Sequence, residues 1–276
     1  MLGRGVLTDY HTHTPLCLHA TGNPVELAAR AVEVGLAELG ISDHNPMPEY
    51  FDDWRMLIGD FPAYLALVEE ARERYPQLPI RLGLECDYLE GRESWIEETA
   101  AMAEWDYLIG SVHYIAPGWD MDNPKHLSRW KTEADVEEIW ATYWRIYERC
   151  IRSQMFDFYA HPDLAKKFGL RPKGDLRRYY EPVIQALVDT GAVMEVSTAG
   201  LHKEVAEIYP AQGMIEMAFA AGVPVVINSD AHAPGEVGRD FDKALTTVRA
   251  AGYRETVRFC KRERSVVKLP ETWPVS

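Results

Sequence analysis

Histidines cluster near the start of the chain at a spacing that suits metal binding. The stretch DYHTHTPLCLHATG places His11, His13 and His19 within nine residues, and the whole chain has only nine histidines. Asp9, His11 and His13 alternate at the end of a short apolar run, so an extended strand would place them on one face. Alone, a His-x-His pair fits a hydrogen-bonded polar loop as well as a metal site. The choice depends on where the other imidazoles and carboxylates lie.

Further candidate ligands occur in or directly after other apolar runs: His44 in ISDHN, Glu85 in GLECDY, His113 in IGSVHY, His161 in FYAHPD, and Asp230 and His232 in INSDAH. Nine such groups on one rim would repel one another or stay unsatisfied without cations. Imidazoles and carboxylates without organised thiolates favour Zn, Mn or Fe. The set therefore predicts two to three divalent metal ions bridged by a carboxylate. His126 and His202 follow no strand and are not predicted to be ligands.

Alternating strands and helices are predicted to position these side chains. The predicted strands are residues 5–11, 36–42, 79–88, 106–113, 156–161, 191–197 and 223–229, and the predicted helices are residues 24–34, 61–75, 93–104, 132–153, 175–190, 212–221 and 240–251. This alternation implies a parallel α/β sheet with right-handed crossovers. No GxGxxG or Walker pattern follows any strand, so we expect a single (β/α) barrel domain over residues 1–276. In such a barrel, chemistry gathers at the carboxyl ends of the strands.

Composition narrows the class of protein. The formal net charge of −14 argues against a nucleic-acid partner, which needs a basic surface. No apolar run approaches the 18 residues of a membrane span, and the first residues lack a signal-peptide pattern, so we expect a cytoplasmic protein. The four cysteines are widely spaced, which predicts reduced thiols. The sequence carries no signal for an oligomeric state.

In seven short sequence blocks the chain resembles the polymerase and histidinol phosphatase (PHP) superfamily, and more closely its monofunctional histidinol-phosphatases. The matching blocks run from residue 9 to residue 238 in the family's order: DYHTHTPLCLHATG, ISDHNPMP, GLECDY, IGSVHY, AHPDLAKKFG, VSTAGL and INSDAHAPGEVG. The resemblance implies a distorted (β/α)7 barrel, similar to a TIM barrel, with a trinuclear metal site. It also implies L-histidinol phosphate as the substrate, in histidine biosynthesis.

Carried over by position, the resemblance implies three sets of ligands: His11, His13, Glu85 and Asp230 for one ion; Glu85, His113 and His161 for a second; and His19, His44 and His232 for a third. Glu85 would bridge the first two ions. The chain departs from the family after TAGL, where relatives carry an arginine and this chain has His202 and Lys203. A lysine supplies a point charge without the bidentate fork of arginine.

The expected chemistry is phosphomonoester hydrolysis. A hydroxide bridging two metal ions is a strong nucleophile near neutral pH and would attack phosphorus in line with the leaving alcohol. Asp9, Asp43 and Asp230 are the candidates for the acid that protonates this alcohol. The candidate substrate contacts are Arg55, Lys166, Lys167, Arg171, His202, Lys203 and Arg239. Arg55 lies in the loop NPMPEYFDDWRML, which is predicted to cover the site.

Three alternatives stay open at this point. An amidohydrolase also begins with His-x-His on its first barrel strand, but it lacks counterparts of His19, His44 and His232 together. A nuclease or nucleotide phosphoesterase of the same superfamily is disfavoured by the net charge. A non-catalytic scaffold with this barrel would be expected to lose ligands, and none is missing. Hydrolysis of phosphomonoesters, compared with amides or lactones, separates the amidohydrolase from the phosphatase, and a metal-reconstituted protein without turnover of any phosphoester would favour the scaffold.

Overall fold

The computed structural model describes residues 6–273, so residue 5 of the first predicted strand lies outside the described range. The strands are β1 (Thr8–Asp9), β2 (Glu38–Ile41), β3 (Ile80–Leu82), β4 (Glu85–Asp87), β5 (Ile109–Ser111), β6 (Tyr114–Ala116), β7 (Trp119–Asp120), β8 (Phe158–Tyr159), β9 (Val193–Ser197), β10 (Val225–Asn228), β11 (Glu255–Cys260) and β12 (Glu263–Lys268). The helices are α1 (Pro24–Glu33), α2 (Phe61–Arg74), α3 (Glu93–Ala100), α4 (Glu133–Ser153), α5 (Arg177–Thr190), α6 (Gln212–Ala220) and α7 (Phe241–Ala251).

The parallel strands form two segments of one barrel wall. One segment has the order β1-β2-β3, and the other has the order β10-β9-β8-β5-β4. Parallel bridges between Thr12 and Ala231 and between His44 and Glu85 join the two segments on both sides. The wall therefore closes, which confirms the predicted α/β class and a distorted barrel of seven parallel strand positions.

The predicted strand over residues 79–88 is wrong as one continuous strand, because it is split into β3, which pairs with β2, and β4, which pairs with β5. Gly83 lies at the break. A side chain at Gly83 or at Gly40 would clash with the ring or hydroxyl of Tyr107. Tyr107 crosses the barrel interior, where its hydroxyl donates to the backbone oxygen of Tyr10 at 2.6 Å. The wall bends around this side chain, and the bend divides the strand.

All seven predicted helices are present, and the ends of the clearest ones match closely. Asn23 caps α1, accepting from the backbone of Glu26 while the Glu26 carboxylate accepts from the Asn23 backbone. Thr132 and Asp135 form the same reciprocal capping box at α4. Among residues 6–273, no helix has the length and apolar character needed to cross a bilayer.

Two hairpins were not predicted from the sequence. One is β6–β7, which lies between β5 and α4. The other is β11–β12, whose Val257 and Phe259 pack with Tyr10, Tyr107 and Phe158 in a cluster separate from the main core. This cluster fills the interior of the barrel and leaves the carboxyl ends of the strands open on the other side.

Candidate metal centre

The nine predicted ligands converge where the barrel strands end. His11 and His13 follow β1, His44 follows β2, and Glu85 begins β4. The others follow β5, β8 and β10, except His19, which lies in the loop after β1. Apart from His19 and His232, all of them are buried or have side chains less than one-fifth exposed. The barrel therefore brings to one rim predicted ligands that are as far apart in the sequence as His11 and His232.

Glu85 is the centre of this arrangement. Its carboxylate oxygens lie near ring nitrogens of five histidines: His44 Nδ1 at 2.9 Å, His161 Nε2 at 3.0 Å, His11 Nε2 at 3.3 Å, His13 Nε2 at 3.7 Å and His113 Nε2 at 3.8 Å. A carboxylate has two oxygens with about four acceptor positions, which suits a ligand shared between ions. Glu85 therefore lies between five of the predicted ligands.

Two further groupings surround Glu85. Asp230 Oδ1 lies 3.1 Å from His13 Nε2 and 3.6 Å from His11 Nε2. The ligand atoms of His19, His44 and His232 lie within 4.8 Å of one another, and His44 also belongs to a group with His13 and Glu85. Asp230 and His161 both have positive φ angles, 55° and 25°, which are uncommon for residues with a Cβ and are typical of constrained functional positions.

The far ring nitrogens of several histidines are already occupied by protein oxygens. His11 Nδ1 donates to Glu195 at 2.9 Å, and His113 Nδ1 donates to Asp87 at 2.8 Å. His19 Nδ1 and His232 Nδ1 face backbone oxygens of Cys17 and Asp230. These contacts fix the tautomer and leave Nε2 available as a ligand, as in metal-binding histidines generally.

Other buried atoms of the cluster lack a partner. Among residues 6–273, no hydrogen bond of acceptable geometry is made by His11 Nε2, His13 Nδ1, His44 Nδ1 or His161 Nδ1. Buried polar atoms are normally paired, because desolvation without a partner costs about 1–3 kcal/mol each. Unpaired imidazole nitrogens beside carboxylates are the donor set that divalent transition metals prefer, so the residues present fit such ions.

The charges at the rim are strongly coupled. Burial lowers the pKa of His44 to about 4 despite the nearby Glu85, and burial together with His13 lowers that of His232. Burial also opposes the charged form of His13, but hydrogen bonds to Asp230 and Asp43 raise its pKa to about 9. The pKa values of neighbouring imidazoles are thus shifted in opposite directions by burial and by the different charged groups around each ring.

Glu195 and Asp87, whose carboxylates orient the rings of His11 and His113, were not predicted from the sequence. Glu195 also accepts from the amide of Asn228 and the backbone of His161. For Glu195 the sequence did contain a signal, namely a charged residue within the apolar run VMEVS, which forms the fully buried strand β9. Asp87 is itself held by Arg55, whose Nη2 lies 2.8 Å from its carboxylate.

The three candidate acids occupy different environments. Asp9 is fully buried, where it accepts from the backbone N–H groups of Ser229 and Gly238, and burial raises its pKa to about 6. Asp43 is also buried, and it accepts from the backbone of Thr14 and His44. Of the three, Asp230 is the one that lines the open cleft above the histidines.

This cleft has a volume of about 600 Å³ and reaches the rim of the barrel. Four of the predicted substrate contacts line it: Lys167, His202, Lys203 and Arg239. Lys167 is paired with Asp122 at 2.9 Å, and Arg239 is paired with Glu236 at 3.0 Å. His202 Nε2 lies 2.6 Å from Asp240 at the start of α7. Asp53 and Trp54, from the loop after β2, line the same cleft.

The structure does not place Arg55, Lys166 or Arg171 in the lining of this cleft. Arg55 is buried, with its guanidinium committed to Asp52 and Asp87. Lys166 is also buried, 3.1 Å from Asp163, and Arg171 lies 2.5 Å from Glu207. The predicted covering loop does reach the site, but Trp54 lines the cleft while Arg55 anchors the loop.

Comparison with known proteins places the chain in a family. Residues 9–199 match the PHP domain family. A protein described as a probable histidinol-phosphatase from Deinococcus radiodurans is 40% identical over 93% of this chain and 98% of its own length. The histidinol-phosphatase of Bacillus subtilis is 28% identical, covering 86% of this chain and 97% of its own length.

A solved structure shares the fold. The histidinol phosphate phosphatase of Lactococcus lactis, complexed with zinc, L-histidinol and phosphate, superposes with a TM-score of 0.73 at 18% identity, covering 94% of this chain and 98% of that one. The PHP domain match and the 40% identical relative confirm the resemblance expected from the motifs and the class of enzyme, a phosphomonoester hydrolase. The chain belongs to the PHP domain family, in its histidinol-phosphatase branch.

Proposed function

We propose that this chain hydrolyses L-histidinol phosphate to L-histidinol and phosphate at a centre of three divalent metal ions. The observation that carries the proposal is the convergence of seven imidazoles and two carboxylates beneath a cleft lined by basic side chains. The names of the relatives support the substrate.

The proposed ligand sets are those that the resemblance implies, and the close grouping of His19, His44 and His232 supports the third set. His11, His13, Glu85 and Asp230 would hold one ion; Glu85, His113 and His161 a second; and His19, His44 and His232 a third. When bound, such ions lower the pKa of a coordinated water and neutralise charge on a phosphoryl group. Zinc, manganese and iron all suit this donor set.

The chain's own residues would bind and orient the substrate. Lys203 projects at the rim, and among residues 6–273 no carboxylate lies within 4.0 Å of its ammonium group, so its charge is available to phosphate. His202, Lys167 and Arg239 add positive or hydrogen-bonding groups that are already paired with carboxylates. Asp53 offers a negative charge to a cationic amine. This combination suits a small molecule that carries phosphate and an amine together.

Of the three candidate acids only Asp230 lines the cleft. Although burial opposes its charged form, His11 and His13 hold the pKa of Asp230 well below its usual range, so as a metal ligand it would carry no proton and is not proposed as the acid. Asp9 and Asp43 are proposed instead to hold the ligand loops, since their carboxylates accept from backbone N–H groups of those loops.

The test is kcat/KM of the metal-loaded protein for L-histidinol phosphate beside sugar phosphates, nucleotides, an aryl phosphate, an amide and a lactone. We expect L-histidinol phosphate to exceed every other phosphate by at least tenfold, with no turnover of amide or lactone. Glu85→Gln is the matched variant, because it keeps the shape and removes the bridging charge, and it should abolish turnover. Stronger turnover of another phosphate would overturn the substrate, and turnover of the amide or lactone alone would overturn the class.

A further inference from the structure

Tyr209 carries a buried hydroxyl that the structure leaves unpaired. Its side chain is 1% exposed, and its oxygen is the single buried tyrosine hydroxyl without a hydrogen-bond partner among residues 6–273. Other buried tyrosines in the chain are satisfied; Tyr147, for example, donates to the backbone oxygen of Ala160 at 2.9 Å. Buried hydroxyls normally find a partner, so an unpaired one calls for a ligand or a bound water.

The ring of Tyr209 is fixed in place. Its backbone exchanges two hydrogen bonds with Ser197 at the end of β9, at 2.7 and 3.0 Å. Gly200 packs so closely that a Cβ there would lie 2.9 Å from the tyrosine ring. The ammonium group of the buried Lys166 lies 5.5 Å from the ring centroid and is itself held by Asp163 and the backbone oxygen of Ile208. These contacts hold the Tyr209 ring against β9 and the residues that follow it.

The hydroxyl lies in acidic surroundings. Tyr209 lines the same cleft as Asp122 and Asp230. Burial, reinforced by Asp122, Asp163 and Asp230, raises the pKa of Tyr209 well above its usual range, so the hydroxyl keeps its proton. Each of these carboxylates is already paired: Asp122 with Lys167, Asp163 with Lys166, and Asp230 with His13. What remains is a buried hydrogen-bond donor, on a residue that lines the cleft, without an acceptor among residues 6–273.

We propose that Tyr209 is a substrate-contacting residue, whose hydroxyl donates a hydrogen bond to a phosphoryl oxygen of the bound substrate and of the phosphate product. A phosphoryl oxygen is an anionic acceptor, and a neutral donor stabilises it without adding charge to the site. The assignment rests on the proposed function, since it takes phosphate as the group that enters the cleft.

The test compares Tyr209→Phe with Tyr253→Phe in the metal-loaded protein. Tyr209→Phe removes only the unpaired oxygen, so the melting temperature without phosphate should stay the same or rise. The affinity for inorganic phosphate, measured by thermal shift and as the inhibition constant, should fall by roughly 10- to 100-fold. Tyr253 donates to the backbone oxygen of Val223 at 2.8 Å, before β10 and far from the strand ends that form the cleft. Its loss should lower the melting temperature and leave phosphate affinity unchanged.

Two results would overturn the assignment: wild-type phosphate affinity in Tyr209→Phe, or a loss of melting temperature as large as that of Tyr253→Phe, which would mark a purely structural hydroxyl. The thermal shift needs no turnover, so it separates this assignment from the proposed reaction. A wild-type protein that hydrolyses L-histidinol phosphate, with an unaffected Tyr209→Phe variant, contradicts the contact alone. Weakened phosphate binding in Tyr209→Phe, without turnover by the wild type, supports the contact and contradicts the reaction.

Discussion

At the scale of single residues, the carboxylates behind the histidines matter as much as the ligands themselves. Glu195 has no exposed surface, and its carboxylate accepts from His11, Asn228 and the backbone of His161. It therefore contacts two of the predicted ligands, His11 and His161, at once. Such partners orient a metal-binding imidazole and increase its basicity. Glu195 thereby connects the interior of β9 to the chemistry at the strand ends.

Glu195→Gln should weaken metal binding while keeping the fold. The amide keeps the size of the side chain but has one uncharged acceptor oxygen, so it cannot accept both from His11 and Asn228 at one oxygen and from the His161 backbone at the other. Metal affinity or activity should therefore fall roughly 10- to 100-fold. The measurement is metal content after dialysis against a graded chelator, together with kcat. Glu216→Gln on the surface of α6 is the control and should match the wild type. Equal metal retention in both variants would show that Glu195 does not orient the site.

At the scale of elements, the sequence predicts the helices better than the strands. Helices such as α1 and α4 end within one residue of their predicted bounds, because apolar periodicity and capping boxes are local signals. Strands are shorter than predicted, since regular pairing depends on partners that are distant in sequence. The break in the strand at Gly83 lies against Tyr107, and the buried ion pair of Arg55 is made with Asp87. Both partners are distant in sequence, so local patterns could not predict these contacts. The convergence of the nine predicted ligands could be inferred from the sequence because all except His19 lie in, or a few residues after, a parallel strand.

The hairpin β11–β12 should stabilise the barrel without contributing to the metal centre. Phe259 is 2% exposed, and its ring centroid lies 5.3 Å from Phe158 and 5.9 Å from Tyr10. Phe259→Ala should lower the free energy of unfolding by about 3–5 kcal/mol through lost burial and a residual cavity. Denaturant unfolding measures the loss, and metal content under native conditions should not change. Val266→Ala, on an exposed side chain of the neighbouring strand, should cost far less; equal costs would contradict the packing role of β11.

At the scale of the whole molecule, charge and architecture act together. The chain carries a formal net charge of −14, yet its cleft must receive an anionic phosphate. Divalent ions at the rim would reverse the local field, because bound cations are often the largest charges in a site. The barrel permits this by bringing ligands from distant parts of the chain to one end, while apolar side chains fill its interior.

The central claim is that the nine side chains hold three ions in separate sets, and the most direct measurement is metal content per chain in the wild type and in His19→Ala. In the proposed sets, His19 belongs with His44 and His232. Glu85 is shared by the other two sets, and Asp230 belongs to the set with His13. We expect about three ions per chain in the wild type and about two in His19→Ala, since a vacated three-histidine site loses most of its affinity. Loss of all ions from His19→Ala, or a wild type that binds only one, would contradict the claim.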